Sequence, residues 1–143
     1  VTVQNVGNVP ALYVLIRDDL DEVTPNYLTY VDQSATMNGL ANGVIVAGQI
    51  ISADYFAEYG PLLPREIVTL RFQAVIEPTL LEGTTIVNTA RAYWDDPQQQ
   101  AEATVTIDVG AMPNRFLTAI VTPAFAWSLS LASDTKTSVC SYR

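Results

Sequence analysis

Residues 66–77, EIVTLRFQAVIE, place Val68, Leu70, Phe72, Ala74 and Ile76 at every second position, with Thr69, Arg71 and Gln73 between them. Side chains of an extended strand point to opposite faces with period 2, so one face of this segment is apolar and the other polar. The same beat recurs along the chain. TTIVNTARAYW (84–94) puts Ile86, Asn88, Ala90, Ala92 and Trp94 on one face, and AEATVTIDV (101–109) sets Ala103, Val105, Ile107 and Val109 against Thr104, Thr106 and Asp108. VTVQNV (1–6), ALYVLIR (11–17), YLTYV (27–31) and GVIVAGQIIS (43–52, bent at Gly48) read as further strands. Turn signals separate them: GNVP, DDLDEVTPN, the Asn38-Gly39 and Asn42-Gly43 pairs, and DDPQQQ. DYFAEYGPLLPRE (54–66) reads as a loop or a short helical turn at its start. No stretch sustains a 3.6-residue period. Short alternating strands with turns between them predict an all-β antiparallel sandwich.

The core such a fold needs is available, since 49% of the 143 residues are hydrophobic. Charged residues make up only 15%, well below the roughly 25% usual in soluble domains, which suits a surface covered by partners. The net charge of −8 is unevenly spread. Residues 1–110 carry four bases against fourteen acids, a balance of −10, whereas residues 111–143 carry Arg115, Lys136 and Arg143 against Asp134 alone, a balance of +2. An acidic body attracts a basic tail, its own or another copy's. It repels nucleic acid, whose phosphates require Lys and Arg.

The last part of the chain has its own pattern. In AFAWSLSLAS (124–133) the large residues Phe125, Trp127, Leu129 and Leu131 alternate with Ala and Ser. That is a strand with four apolar knobs on one face and an almost flat surface on the other. Residues 116–133 carry no charge, but only twelve of these eighteen are apolar, short of the ~20 a spanning helix needs, so no membrane anchor is expected. The predicted organisation is a sandwich over 1–110, a connector over 111–115 and a C-terminal extension over 116–143. No basic region followed by an apolar run opens the chain, so no leader is expected in it.

Three segments resemble a known family. VTVQNVGNVPALYVLIRDDL (1–20) is similar to the opening of the bacterial and archaeal surface-protein repeat catalogued as "domain of unknown function eleven", where a strand leads into an N-x-G-N-x-x-A turn and a V-x-D-x-L stretch. LLPREIVTLRFQAVI (62–76) resembles its L-x-P-G-E-x-x-x-L-x-F-x-V strand, with Arg65 where glycine is usual. GTTIVNTARAYW (83–94) resembles its G-x-x-I-x-N-x-A signature, with Asn88 and Ala90 in place. The resemblance covers about residues 1–110. It implies an immunoglobulin-like sandwich in cell-envelope or secreted proteins, used as a stalk, adhesive or polymer element. Two departures matter. The repeat starts with a strand ahead of the one at Val1, which is missing here, and nothing after residue 110 resembles it.

Together these departures predict an immunoglobulin-like antiparallel sandwich lacking its first strand, with the C-terminal extension acting as a complementing strand. Phe125, Trp127, Leu129 and Leu131 are the expected donors, and Val3, Leu70 and Phe72 the expected lining of the acceptor groove. Donated to the next copy, the extension makes a homopolymeric extracellular filament or pilus. Folded back, it makes a self-complemented module that binds cell-surface glycans or cells, with Tyr55, Phe56, Tyr59 and Trp94 as its sugar-stacking residues.

Catalysis has little to work with. The chain has no histidine and one cysteine, Cys140, so neither a Ser/His/Asp arrangement nor a Cys/His metal site can be assembled. Neither an enzyme nor a cofactor is expected; the one disulfide open to Cys140 is intermolecular, and a lone cysteine near a terminus is more often incidental. Asp18, Asp19, Asp21, Asp95 and Asp96 are calcium candidates without EF-hand spacing, and solvated acidic turns are the plainer reading of them.

Overall fold

The computed structural model describes residues 1–110 and, beyond them, the backbone of three short strands at 118–121, 127–132 and 141–142. In chain order the elements are β1 (Thr2–Gln4), β2 (Leu15–Asp19), β3 (Leu28–Tyr30), β4 (Thr36–Met37), β5 (Val44–Ala47), β6 (Ile50–Asp54), α1 (Tyr55–Tyr59), β7 (Ile67–Arg71), β8 (Ala74–Ile76), β9 (Thr85–Trp94), β10 (Gln99–Asp108), β11 (Thr118–Val121), β12 (Trp127–Ala132) and β13 (Ser141–Tyr142). All pairings are antiparallel.

One sheet runs β10-β9-β2-β6-β5 and the other β1-β7-β4, with β3 and β8 paired beside it as a ribbon. The inward faces are those marked by the alternation. Val3, Val68 and Leu70 from the second sheet meet Ile16, Ile51, Ile86 and Val105 from the first in one core, together with Phe72 and Ala74. Each such large side chain contributes on the order of 1.5–3 kcal/mol of transfer free energy. The partition is immunoglobulin-like: β2, β9 and β10 take the C, F and G places, and β1 and β7 take the B and E places. No described strand hydrogen-bonds on the outer side of β1, where the A strand of that fold would lie.

The elements depart from the sequence reading in four places. The strand expected over 11–17 starts only at Leu15. Upstream, Tyr13 takes φ +54, Ala11 bridges Leu62, and the N–H of Leu12 is held by the Asp95 carboxylate, so the chain there is spent on cross-links to other loops. Residues 43–52 form a hairpin, β5 and β6, because Gly48 at φ +63 reverses the chain where a bend was expected. Residues 66–77 are two strands with one shared inward face. The break falls at Phe72 and Gln73, where the Gln73 N–H turns to the Ser34 hydroxyl and its carbonyl accepts from Val31. Residues 32–43, read as turns, contain the short strand β4, whose Met37 is fully buried. The helical turn is present as α1, capped by the Asp54 carboxylate accepting from the Ala57 N–H at 2.9 Å.

Candidate functional site

Among the described residues, no strand is hydrogen-bonded to β1 on the side away from β7. The Val1–Leu70 pair exchanges two backbone hydrogen bonds of 2.8 and 2.9 Å, and the Asn5 N–H reaches the Glu66 carbonyl at 3.0 Å. Backbone groups alternate in direction along an antiparallel strand. Val1, Val3 and Asn5 therefore address β7, while Thr2 and Gln4 turn their N–H and C=O groups to the open side. Facing it lies β10, the edge of the other sheet, which among the described residues is paired with β9 alone.

The walls of this gap are small residues. Ala101 sits opposite Ala92, and Ala103 opposite Ala90, so four alanines form a square where β9 and β10 meet the gap. A shallow groove runs over Val1, Thr2 and Val3 on one side and these alanines with Arg91 and Glu102 on the other. Past Val3 and Ala92 it opens into a cavity of about 280 Å³, lined by Val3, Val6, Val9, Ala11, Val14, Leu62 and Trp94, with Asn5, Asp95 and Gln99 among its polar residues.

Local hydrogen bonds hold that cavity's walls. The Asn5 side chain donates to the Val9 and Leu62 carbonyls, both at 2.8 Å, and accepts from the Gly7 N–H at 2.9 Å, which fixes the NVGNVP turn. Opposite, Leu12 and Asp95 are doubly linked, since the Leu12 N–H donates to Asp95 Oδ1 at 2.9 Å and the Asp95 N–H to the Leu12 carbonyl at 2.7 Å.

Of the expected groove residues, Val3 lines the opening. Leu70 and Phe72 do not: they lie under the opposing sheet, 0% and 2% exposed, because their face of β7 points to the centre of the core. The residues that shape the groove are instead the alanines of β9 and β10. Their signal was present in the sequence as small residues on the inward face of two long strands. Of the expected donors, Phe125 lies outside the described residues. Trp127, Leu129 and Leu131 lie on β12, of which the backbone alone is described. That strand is the middle of a sheet β11-β12-β13 and runs close to β1 and β10 without hydrogen-bonding to either. Residues 111–115 and Cys140 are outside the described residues as well.

The calcium candidates do not converge. Asp19 lies 4.0 Å from the Arg17 guanidinium and accepts from the Asp21 N–H, while Asp21 accepts from the Asn26 N–H at 2.7 Å. Asp95 is engaged with Leu12, and Asp96 precedes Pro97 in the turn between β9 and β10. Asp18 is fully buried, its Oδ2 accepting a 3.1 Å hydrogen bond from the Asn88 amide and its Oδ1 without a hydrogen-bond partner among the described residues. Burial pushes its carboxyl up to about 7, against the opposing effect of the Asn88 hydrogen bond. No group of three metal-ligating side chains gathers among the described residues.

The aromatic residues are divided. Tyr55 is buried, its ring 5.1 Å from that of Tyr59, and burial beside Glu66 raises its hydroxyl above the usual range. Phe56 packs on Tyr13, and Trp94 belongs to the cavity beside β1. On the outer face of the larger sheet Arg91 bonds the Glu22 carboxylate and lies 3.4 Å from Glu102, which lowers Glu22 below the usual carboxylate range.

No family model and no curated protein matches the chain. Among solved structures it is similar to BcpA, the major pilin subunit of Bacillus cereus, at 18% identity and a TM-score of 0.50 over 92% of this chain and 44% of that one. A variant of the same pilin matches at 15% identity and a TM-score of 0.50, over 92% and 45% of the two chains. The chain thus spans less than half the length of these pilins. At that identity the likeness is one of fold, an immunoglobulin-like sandwich.

Proposed function

We propose that the chain is a non-enzymatic structural subunit of a cell-surface filament, of the kind the resemblance to surface repeats implies, and that it polymerises by strand donation. The C-terminal extension of one copy supplies a strand beside β1 of the next. The observation that carries this reading is the side of β1 on which no described strand is hydrogen-bonded. It combines outward-facing backbone groups with a shallow groove walled by the small residues Ala90, Ala92, Ala101 and Ala103. Exposed edges of this kind self-associate unless covered. The C-terminal part of the chain suits this edge in two respects, the large-small alternation of 124–133 and the charge of +2 over residues 111–143 against −10 for residues 1–110. The pilin-like fold agrees with such a role, and a head-to-tail contact that does not close on itself yields a fibre.

Full-length protein should run as polymer in size-exclusion chromatography and show filaments by negative-stain microscopy, and protein lacking residues 116–143 should do neither. Tail-deleted protein should in turn bind a synthetic 116–143 peptide. A full-length chain that stays monomeric at high concentration defeats the proposal.

A further inference from the structure

Side chains of β1 are shut off from solvent even though, among the described residues, β1 is the outermost hydrogen-bonded strand of its sheet. Val1 and Val3 are 4% and 3% exposed. Thr2 lies between them and points the other way, yet its hydroxyl is buried, with no hydrogen-bond partner among the described residues. A strand at an uncovered rim leaves its outward polar groups to water. The groove from Val1–Val3 to Ala101 and Ala103 keeps only about 10 Å³ of free volume, room for about one water. What stands against this edge is the chain's own extension. The backbone of β12 lies close to both β1 and β10, that of β11 close to β10, and that of β13 close to β7, so the small sheet spans the seam between the two larger ones.

We infer that the extension seats first in the groove of its own chain, and that copies join by exchanging this occupant rather than by filling an empty edge. The inference rests on the strand-donation reading and adds its regulation, since the donor is also the plug. Tethering decides the order. A segment on the same chain acts on its own groove at an effective concentration on the order of millimolar, against which a dilute neighbour competes poorly. The opposite charges of residues 1–110 and 111–143 act in the same direction within one chain. Exchange of an identical element between copies is a low-cost route from closed monomer to assembly, because the contact released in one copy is re-formed in the next.

The test uses full-length protein held as monomer by dilution, with a labelled synthetic peptide of residues 116–143 as the probe. Trp127→Ala combined with Leu129→Ala weakens the plug by removing two of its four large side chains. The peptide should bind the doubly substituted chain about tenfold or more tightly than the wild type, because a groove that is open for more of the time has the higher apparent affinity. The melting temperature of the substituted chain should lie below that of the wild type and rise again with excess peptide, since an occupant that binds only the folded body stabilises it. A substituted chain that melts cooperatively only with peptide present supports the plug in the same way. Equal peptide affinity for the two chains overturns the plug and leaves strand donation standing. A peptide that binds neither chain and restores no melt overturns both readings.

Discussion

Asp18 is the residue whose chemistry the fold changes most. In the sequence it is one of four carboxylates in DDLDE, indistinguishable from its neighbours as a solvated group. In the structure the β2 alternation sends Asp18 inward beside Ile16 and Leu20 and leaves Asp19 partly exposed. A carboxyl held at about 7 when folded, against 3.8 when free, binds more protons in the folded chain than in the unfolded chain between those values. Its contribution to stability is therefore largest below pH 4, falls as pH rises towards 7, and is flat above. Asp18→Asn should remove that slope and raise stability at pH 8, by on the order of a few kcal/mol at most. Thermal unfolding of the two proteins at pH 5 and pH 8 measures it: an equal gap at both values contradicts the assignment. Arg65 shows the converse, a sequence oddity with a structural basis. It occupies φ +71, a left-handed position that suits glycine and costs a non-glycine residue about 1–2 kcal/mol. That is the position at which the resembling repeat carries glycine.

Among the elements, β1 is the one on which the strand-donation proposal depends. It is three residues long, paired on one side, and ends in a turn held by Asn5. Because Gln4 directs its N–H away from β7, proline there removes a donor that the intramolecular ladder does not use, and edge strands tolerate proline for that reason. Gln4→Pro should leave the far-ultraviolet circular dichroism and melting temperature of the chain nearly unchanged while abolishing polymer in the chromatographic assay. Retained polymer would show that the incoming strand does not pair with β1. The extension is more elaborate than the single strand expected from AFAWSLSLAS, since β12 is hydrogen-bonded to β11 over Trp127–Ser130 and to β13 at Leu131 and Ala132. Along Trp127–Ser130 no described strand is hydrogen-bonded to β12 on the β13 side.

For the whole molecule the asymmetry of charge matters more than the total. Residues 1–110 at −10 and residues 111–143 at +2 attract each other over distances comparable to the ~10 Å Debye length at 0.1 M salt. Filament elongation followed by light scattering should slow as sodium chloride rises from about 0.05 to 0.5 M, with little change in the stability of polymer already formed, since steering acts on encounter and apolar burial holds the contact. An elongation rate indifferent to salt would assign the charge difference to solubility alone.

The all-β class and its inward residues were legible in the order of amino acids, because strand alternation is a local property: Ile86, Ala90 and Val105 are buried as their spacing requires. That β1 lacks a hydrogen-bonded neighbour on one side among the described strands is not signalled by the alternation, and its expectation rests on the resemblance to a repeat with one more strand. Three things were decided in three dimensions. Leu70 and Phe72 went to the core centre rather than the groove, the alanines of β9 and β10 came together into its wall, and Asp18 became a buried acid beside an asparagine distant in sequence. Each depends on which strands lie side by side, a long-range pairing that residues two apart along one strand do not encode.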